Sequence, residues 1–151
     1  MDRGEELRYL MLAAQREGSR QLAEALRPLN LTPAQAEVLQ VLAHYPPMTL
    51  LQLGERLVCE TGSPSRLVTS MVEAGLVEKR PNPQDGRAVL LRLTPAAEAI
   101  LPALHRVEAQ YHASVGAVLN EDALALVTEH LWAFVAETPS GQALQRRKTR
   151  T

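Results

Sequence analysis

Residues 85–94 contain the side chains of this chain that are best suited to contact a polyanion. The segment has an acid at Asp85, a glycine at Gly86 and an arginine at Arg87, followed by alternating apolar residues and a threonine. A guanidinium donates charge-assisted hydrogen bonds to phosphate oxygens, and it fits the concentrated negative potential of a narrow DNA minor groove. We therefore predict that Arg87 contacts DNA.

Asp85 lies two residues from that arginine, and a carboxylate so close to DNA would oppose binding. We expect Asp85 either to orient the Arg87 side chain or to anchor the loop that carries it, and we include both residues in the DNA-binding segment. In the alternative, the two residues form an ordinary surface ion pair, which contributes little free energy.

A second group of polar side chains lies between apolar residues at helical spacing. The apolar stripe consists of Leu67, Val68, Met71 and Val72. The polar residues on the other side are hydroxylated or cationic: Ser63, Ser65, Arg66, Thr69 and Ser70. Hydroxyls can pair with base edges or phosphates, and arginine can bind guanine through two hydrogen bonds. The pattern predicts a DNA recognition helix, and the alternative is a solvated helix face without a function.

The elements around these residues are those of a winged helix-turn-helix. Thr49 begins a capping-box pattern that opens a short helix through about Leu57. Thr61 and Ser63 are both suitable N-caps for the recognition helix, and Gly75 is suited to a left-handed C-cap. Residues 76–80 and 88–93 are predicted strands, and a charged loop whose turn signal is Asp-Gly joins them.

Lys79 and Arg80 occupy successive positions on the first predicted strand. Side chains alternate between the two faces of a strand, so we expect only one of the pair to point toward DNA. The sequence leaves open which one it is. Arg92, on the second strand, is expected to cap or pair within the domain.

Long amphipathic helices flank this unit. Apolar residues recur at helical spacing between Leu7 and Leu29, where Gly18 interrupts the pattern, and Thr32-Pro33 opens a further helix with a capping box. Two more helices are predicted after Thr94-Pro95 and Asn120. The first and the last two helices carry more apolar surface than one small lobe can cover, which favours a partner subunit.

The predicted fold class is therefore mainly α (α+β), a winged helix-turn-helix whose N- and C-terminal helices form a dimerisation body. The predicted divisions are residues 1–30 and 95–138 for the helical dimerisation region, 31–94 for the DNA-binding domain, and 139–151 for a basic, flexible tail. The sequence Thr138-Pro139-Ser140-Gly141 is interpreted as the end of ordered structure.

Charge is distributed unevenly along the 151 residues, although the net charge is only −1. Residues 79–92 carry +3 and residues 138–151 carry +4, whereas residues 95–137 carry −5. A local positive patch is sufficient to meet phosphates, and the acidic helices would face away from DNA.

The remaining composition sets bounds on compartment and chemistry. No apolar run has the length of a membrane span, and the acidic N-terminus lacks a signal-peptide core, so we expect a cytoplasmic protein. The single cysteine, Cys59, excludes an internal disulfide framework; it is either a small core residue or a redox sensor.

No pattern typical of an enzyme is present, and we predict no cofactor. The sequence lacks a Gly-rich phosphate loop, a nucleophile elbow and a zinc-hydrolase helix. His105, Glu108 and His112 fall on one stripe of a predicted helix, where they could in principle hold a metal ion. A solvated or pairing face is the interpretation that we adopt, so no metal site is predicted.

Several motifs resemble those of the MarR family of multiple-antibiotic-resistance regulators. The pattern D-x-R-x-x-x-L-x-L-T is matched without departure by Asp85, Arg87, Leu91, Leu93 and Thr94. Residues 64–68, followed by Gly-Leu-Val at 75–77, resemble the recognition helix and its exit, and residues 31–33 resemble the opening of an earlier helix. Thr69 departs from relatives, in which this position is often charged.

This resemblance implies a homodimeric, sequence-specific transcriptional regulator, usually a repressor, on a pseudo-palindromic operator. It also implies release by a small anionic ligand, often phenolic or otherwise lipophilic, bound between the dimer body and the DNA-binding lobe. The reactive N-terminal cysteine of peroxide-sensing members is absent here. Two alternatives stay open: a winged-helix module that binds protein, and a redox-responsive regulator using Cys59.

Overall fold

The structure is a computed structural model that describes residues 1–59 and 64–149. This part of the chain is mainly helical and contains one two-stranded antiparallel sheet. The helices are α1 (Arg3–Leu26), α2 (Pro33–His44), α3 (Leu50–Gly54), α4 (Ser65–Glu73), α5 (Pro95–Gly116), α6 (Glu121–Val135) and α7 (Pro139–Lys148), and the strands are β1 (Val77–Asn82) and β2 (Asp85–Leu93). A single 3₁₀ turn, Arg27–Leu29, follows α1. The winged helix-turn-helix fold is therefore confirmed.

The predicted helix starts are confirmed by reciprocal hydrogen bonds. The Thr32 hydroxyl accepts the Gln35 amide while the Gln35 side chain accepts the Thr32 amide, and Thr49 and Gln52 repeat the arrangement. Each box satisfies amides that lack a partner in the first helical turn. Helix α3 ends at Gly54, earlier than the predicted Leu57.

Helix α4 ends where the sequence predicts. Gly75 has φ +71°, a conformation that costs glycine little because it has no Cβ. The amide of Gly75 donates to the Val72 carbonyl, and the amide of Leu76 donates to the Met71 carbonyl at 2.9 Å. These two bonds form a Schellman motif, which directs the chain straight into β1.

The hydrophobic core lies in the middle of the chain, between the helix-turn-helix and the flanking helices. It includes Leu26 of α1, Leu39 of α2, Met71 of α4, Leu91 of β2 and Leu104 of α5, all of which are almost fully buried. The Leu91 amide also donates to the Met48 carbonyl at 2.7 Å, so the segment before α3 adds one bridge to the sheet edge. The core thus fixes α4 and the β1–β2 hairpin relative to each other.

Helix α1 continues through Gly18 without a break. The Gly18 carbonyl accepts a hydrogen bond from the Tyr111 hydroxyl at 3.0 Å, and a Cβ at this position would lie 3.2 Å from the same oxygen. The glycine therefore permits close approach of α1 and α5 and does not interrupt the helix.

The prediction that ordered structure ends at Thr138 is wrong. Thr138 caps α7 by accepting the Gly141 amide, and the helix runs to Lys148. Gly141 and Ala143 are buried because α7 folds back onto the body. A Cβ on Gly141 would lie 2.0 Å from the Val135 carbonyl oxygen, so the docking of α7 on α6 requires glycine at this position.

None of the described helices is both long enough and apolar enough to cross a membrane.

Candidate nucleic-acid interface

Helix α4 presents the predicted polar residues on one exposed face. Ser65, Arg66, Thr69 and Ser70 are exposed, while Val68 and Met71 are buried on the opposite side. The Ser70 hydroxyl donates to the Leu67 carbonyl at 2.8 Å, which leaves its oxygen able to accept from outside. Within the described part of the chain, Arg66 and Thr69 have no hydrogen-bond or ionic partner. Ser63 and the alternative cap Thr61 lie outside the described residues; the described helix begins after Pro64.

The described part of the α3–α4 connection is held by a buried acid that sequence reasoning missed. Glu37, on α2, is 9% exposed, and its carboxylate accepts the amides of Val58 and Cys59 at 2.9 and 2.8 Å. Arg147 of α7 donates to the same carboxylate at 2.7 Å. A signal was present, since an acid within the mostly apolar segment 36–42 must find buried donors.

The tip of the wing is shaped by two side-chain turns. Asn82 accepts the Gln84 amide at 3.0 Å, and Asp85 accepts the Arg87 amide at the same distance. Strand pairing passes from Pro81–Val89 to Asn82–Asp85, so residues 86–88 bulge out of the ladder. The bulge carries the exposed Arg87 side chain away from the sheet.

The geometry of the wing tip bears on the predicted position of the turn and on the role of Asp85. The turn residues are Pro83 and Gln84; Asp85 and Gly86 belong to β2, so the predicted Asp-Gly turn is wrong. The Asp85 carboxylate binds the Arg87 backbone, so it anchors the loop. In the described residues the Arg87 guanidinium has no acidic partner, and the alternative of a surface ion pair is not supported.

Lys79 and Arg80 lie on opposite faces of β1. Arg80 donates two hydrogen bonds to the Glu78 carboxylate at 3.1 and 3.0 Å, and Arg92 is cross-strand from Glu78 in the ladder. The hydrogen bonds from Arg80 hold the pKa of Glu78 below its ordinary value, and the positive charges of both arginines add to this effect. Lys79 is exposed, and among the described residues it has no such partner.

Cys59 is the last residue of the described stretch that follows α3, and its side chain is exposed. Desolvation by the surrounding chain, reinforced by the Glu37 carboxylate, nevertheless raises the pKa of the thiol to about 11. Because the thiolate is the reactive species, the thiol is poorly suited to redox sensing near neutral pH.

We expect the alkylation rate of Cys59 by iodoacetamide to rise about tenfold per pH unit from pH 7 to 10 without levelling off, because the thiolate fraction is still small throughout this range. The rate can be followed by mass spectrometry, with free cysteine as the control. A plateau below pH 9 would show that the thiol is activated.

A cavity of about 450 Å³ lies between α2, α5 and α7. Its lining residues are Gln40, Val41, His44, Tyr45, Glu108, His112 and Arg147. Glu108 accepts a hydrogen bond from the side-chain amide of Gln40, and burial raises the pKa of this carboxyl. The cavity therefore has a polar lining that contains both donors and acceptors.

The histidine stripe on α5 is divided between two surroundings. His105 lies beside the His44 ring, with ring centroids 6.0 Å apart, whereas His112 lines the cavity. Among the residues that the structure describes, no three His, Cys, Asp or Glu side chains are arranged to hold a metal ion.

The outer sides of α1 and α6 form an exposed apolar face. Leu10 is 59% exposed and Phe134 is 67% exposed. Between the helices runs a groove of about 290 Å³ lined by Leu7, Met11, Leu126, Val127, His130, Leu131 and Phe134. We call this surface the α1–α6 apolar face. This face corresponds to the apolar surface that the sequence predicts on the flanking helices and that one lobe cannot cover.

Comparison with protein families places a winged helix DNA-binding domain at residues 31–97. These residues include the whole helix-turn-helix, both strands and the start of α5. The matched region thus contains all of the described candidate DNA-binding residues.

Two curated relatives extend the similarity. The multiple antibiotic resistance protein MarR of Escherichia coli is 36% identical over 91 residues, which make up 60% of this chain and 63% of that protein. An HTH-type transcriptional regulator of Mycobacterium bovis is 30% identical over 115 residues, which make up 74% of this chain and 79% of that protein.

A solved structure shows that the similarity includes the flanking helices. A cysteine-to-serine variant of Escherichia coli MarR, complexed with operator DNA, superimposes with a TM-score of 0.79 at 30% sequence identity. The match covers 89% of this chain and 99% of that one.

Proposed function

Because this chain belongs to the MarR family of winged helix-turn-helix transcriptional regulators, we propose that it binds DNA sequence-specifically as a homodimer and acts as a repressor on a pseudo-palindromic operator. The observation that carries this proposal is an exposed polar face on α4 together with an exposed Arg87 at the wing tip that has no acidic partner among the described residues. In winged helices the helix reads base edges in the major groove, and the wing contacts the neighbouring backbone or minor groove.

The residues of the lobe divide into reading and positioning roles. Arg66 and Thr69 are exposed and can meet base edges, with Ser65 and Ser70 beside them on the same face. Of the two strand cations, Lys79 is the better candidate for a phosphate contact, because the charge of Arg80 is already shared with Glu78. Arg87 reaches the minor groove, and Asp85 keeps its loop in shape.

A second copy of the chain is the proposed cover of the α1–α6 apolar face. A contiguous exposed apolar face on a folded protein marks an interaction site, and a two-fold dimer uses the same face on both subunits. The acidic segment 95–137, which carries −5, would then lie in the dimer body away from DNA.

The cavity between α2, α5 and α7 is the proposed effector site. It lies where the DNA-binding lobe meets the helical body, so an occupant could change their relative placement. A ligand weakens DNA binding only to the extent that it binds the conformation with low DNA affinity more tightly than the conformation with high DNA affinity. The polar lining favours a ligand that carries hydrogen-bonding groups, including an acidic group near Arg147, beside any phenolic or lipophilic part.

Selection of bound duplexes from random DNA tests the proposal. We expect a two-fold symmetric site whose half-sites are about one helical turn apart. Affinity for that duplex should fall steeply as salt rises, because bound cations release counterions from the phosphates. A module that binds protein would select no duplex and would show no such dependence.

Substitution of Arg66 by alanine should relax the preference for one base pair in each half-site, at a cost of about 1–3 kcal/mol for the preferred base. Substitution of Ser65 should also alter the preference. Repeating the selection with each variant measures the effect, with Arg106→Ala as the control, since Arg106 is exposed on α5 and does not belong to the polar face of α4. A uniform loss of affinity without changed preference would assign both residues to the phosphate backbone.

A further inference from the structure

The Glu37 carboxylate collects hydrogen bonds from two distant parts of the chain. Its Oε1 accepts the Val58 amide at 2.9 Å and the Arg147 guanidinium at 2.7 Å, and its Oε2 accepts the Cys59 amide at 2.8 Å. The Glu37 side chain is 8% exposed and that of Arg147 is 32% exposed. Three donors thus converge on one carboxylate that is almost completely buried.

The three donors come from two elements that are far apart in the sequence, so Glu37 links these elements. Val58 and Cys59 end the described connection from α3, immediately before the chain that leads to α4. Arg147 comes from the last turn of α7, more than a hundred residues later. Glu37 therefore connects the described part of the α3–α4 connection to the C-terminal helix.

Other contacts hold α7 in the place that this connection requires. The Tyr45 hydroxyl donates to the carbonyls of Arg146 and Arg147, at 3.4 and 3.2 Å, which lack partners at the end of the helix. Arg146 also donates to the Glu55 carbonyl at 3.3 Å, at the end of α3. At its other end, α7 is packed against α6 through Gly141.

Removal of Arg147 is expected to disturb the cluster most, because it would leave the buried charge of Glu37 unpaired. A buried carboxylate is tolerated when its charge is paired and its oxygens are hydrogen-bonded. Among the described residues, Arg147 supplies the positive charge that contacts Glu37. Without Arg147, the unpaired carboxylate would be more stable turned toward water. In that position it would no longer accept hydrogen bonds from the Val58 and Cys59 amides.

We propose that α7 is a strap that positions the recognition helix, with Glu37 and Arg147 as the positioning residues. Neither residue needs to touch DNA; they act on affinity by holding Val58 and Cys59, the last residues of the described stretch that follows α3. Arg147 also lines the cavity, so an occupant that takes its hydrogen bonds would compete with Glu37 and loosen the same backbone. The effect on DNA rests on the proposed function, whereas the effect on the backbone does not.

Hydrogen exchange at the Val58 and Cys59 amides tests the strap without DNA. We expect Arg147→Met to speed exchange of these two amides about tenfold or more, because their common acceptor is destabilised. Lys148→Met is the matched control: it removes the same charge from the same helix, but Lys148 lies over the Trp132 ring, 4.2 Å from its centroid. Equal protection in the wild-type protein and Arg147→Met would overturn the proposal.

The DNA arm uses the duplex obtained by selection. Arg147→Met should lower affinity for that duplex about tenfold and for unrelated DNA much less, whereas Lys148→Met should lower neither beyond a small charge effect. Loosened amides with unchanged specific affinity would overturn the positioning role and leave the proposed function standing. If no duplex is ever selected, the proposed function fails, and the exchange arm alone decides whether the strap exists.

A conservative variant keeps the test decisive if Arg147→Met does not fold. Arg147→Lys retains a positive charge but only one ammonium donor group, so exchange at the two amides should lie between wild type and the methionine variant. Exchange no faster than in wild type, together with loss of specific affinity, would show that Arg147 contacts DNA and does not act through Glu37.

Discussion

Replacing Arg87 by alanine is expected to weaken binding to the selected operator by more than about tenfold while leaving the dimer folded. The guanidinium is exposed at the wing tip and, among the described residues, has no acidic partner that must be given up on binding DNA. Its backbone amide is fixed by Asp85, so the free protein already holds the loop in shape. Fluorescence anisotropy with the operator duplex measures the loss.

Arg106→Ala is the control for this substitution. Arg106 is exposed on α5, in the acidic part of the chain, and its removal changes the net charge by the same amount. We expect little change in affinity for this variant. Equal affinities of the two variants would show that Arg87 acts only through net charge or not at all.

Substitution of Leu131 by aspartate is expected to dissociate the dimer and to reduce operator affinity by about a hundredfold or more. Leu131 is 45% exposed in the subunit and lines the groove of the α1–α6 apolar face. In a two-fold interface the substitution would bury two unpaired carboxylates, one from each subunit. A single subunit would then bind only one half-site and lose the coupled second contact.

Sedimentation velocity measures the oligomeric state, with Leu51→Asp as the control. Leu51 is 74% exposed on α3 and does not belong to the α1–α6 apolar face, so its substitution should leave the dimer intact. A stable dimer of Leu131→Asp would place the interface on another surface and remove this part of the proposed function.

The sequence predicted the parts of the fold that local chemistry dictates. Capping boxes at Thr32 and Thr49 depend on residues three positions apart, and the left-handed Gly75 depends on one residue. The recognition helix was visible because its apolar and polar residues separate cleanly at helical spacing. These features need no knowledge of distant contacts.

The turn at the wing tip was misplaced because two local signals compete there. Asp85-Gly86 is a common hairpin turn, but Asn82-Pro83 supplies an Asx acceptor followed by a residue whose φ is preset for a turn. In the structure the turn forms after Asn82, and the chain that follows Asp85 forms a bulge in β2. Sequence alone offered no means to weigh them, because the outcome depends on pairing across the strands.

The C-terminal helix was missed for a different reason. Thr138-Pro139 repeats the Thr-Pro helix start seen at Thr32 and Thr94, but the basic, weakly apolar segment after it resembles a solvated tail. Its stability comes from tertiary contacts, chiefly Arg147 with Glu37 and the close approach at Gly141. The ion pair joins residues 110 positions apart, and no local pattern reveals such a contact.

The basic residues of α7 are largely occupied within the molecule. Arg146 binds the Glu55 carbonyl, Arg147 binds Glu37, and Lys148 lies over Trp132. An engaged cation reaches a phosphate only by giving up its present partner, so these residues add less to the non-specific attraction that retains a regulator on irrelevant genomic sequence. We therefore expect the affinity for irrelevant sites to depend mainly on the exposed cations of α4 and the wing and little on α7.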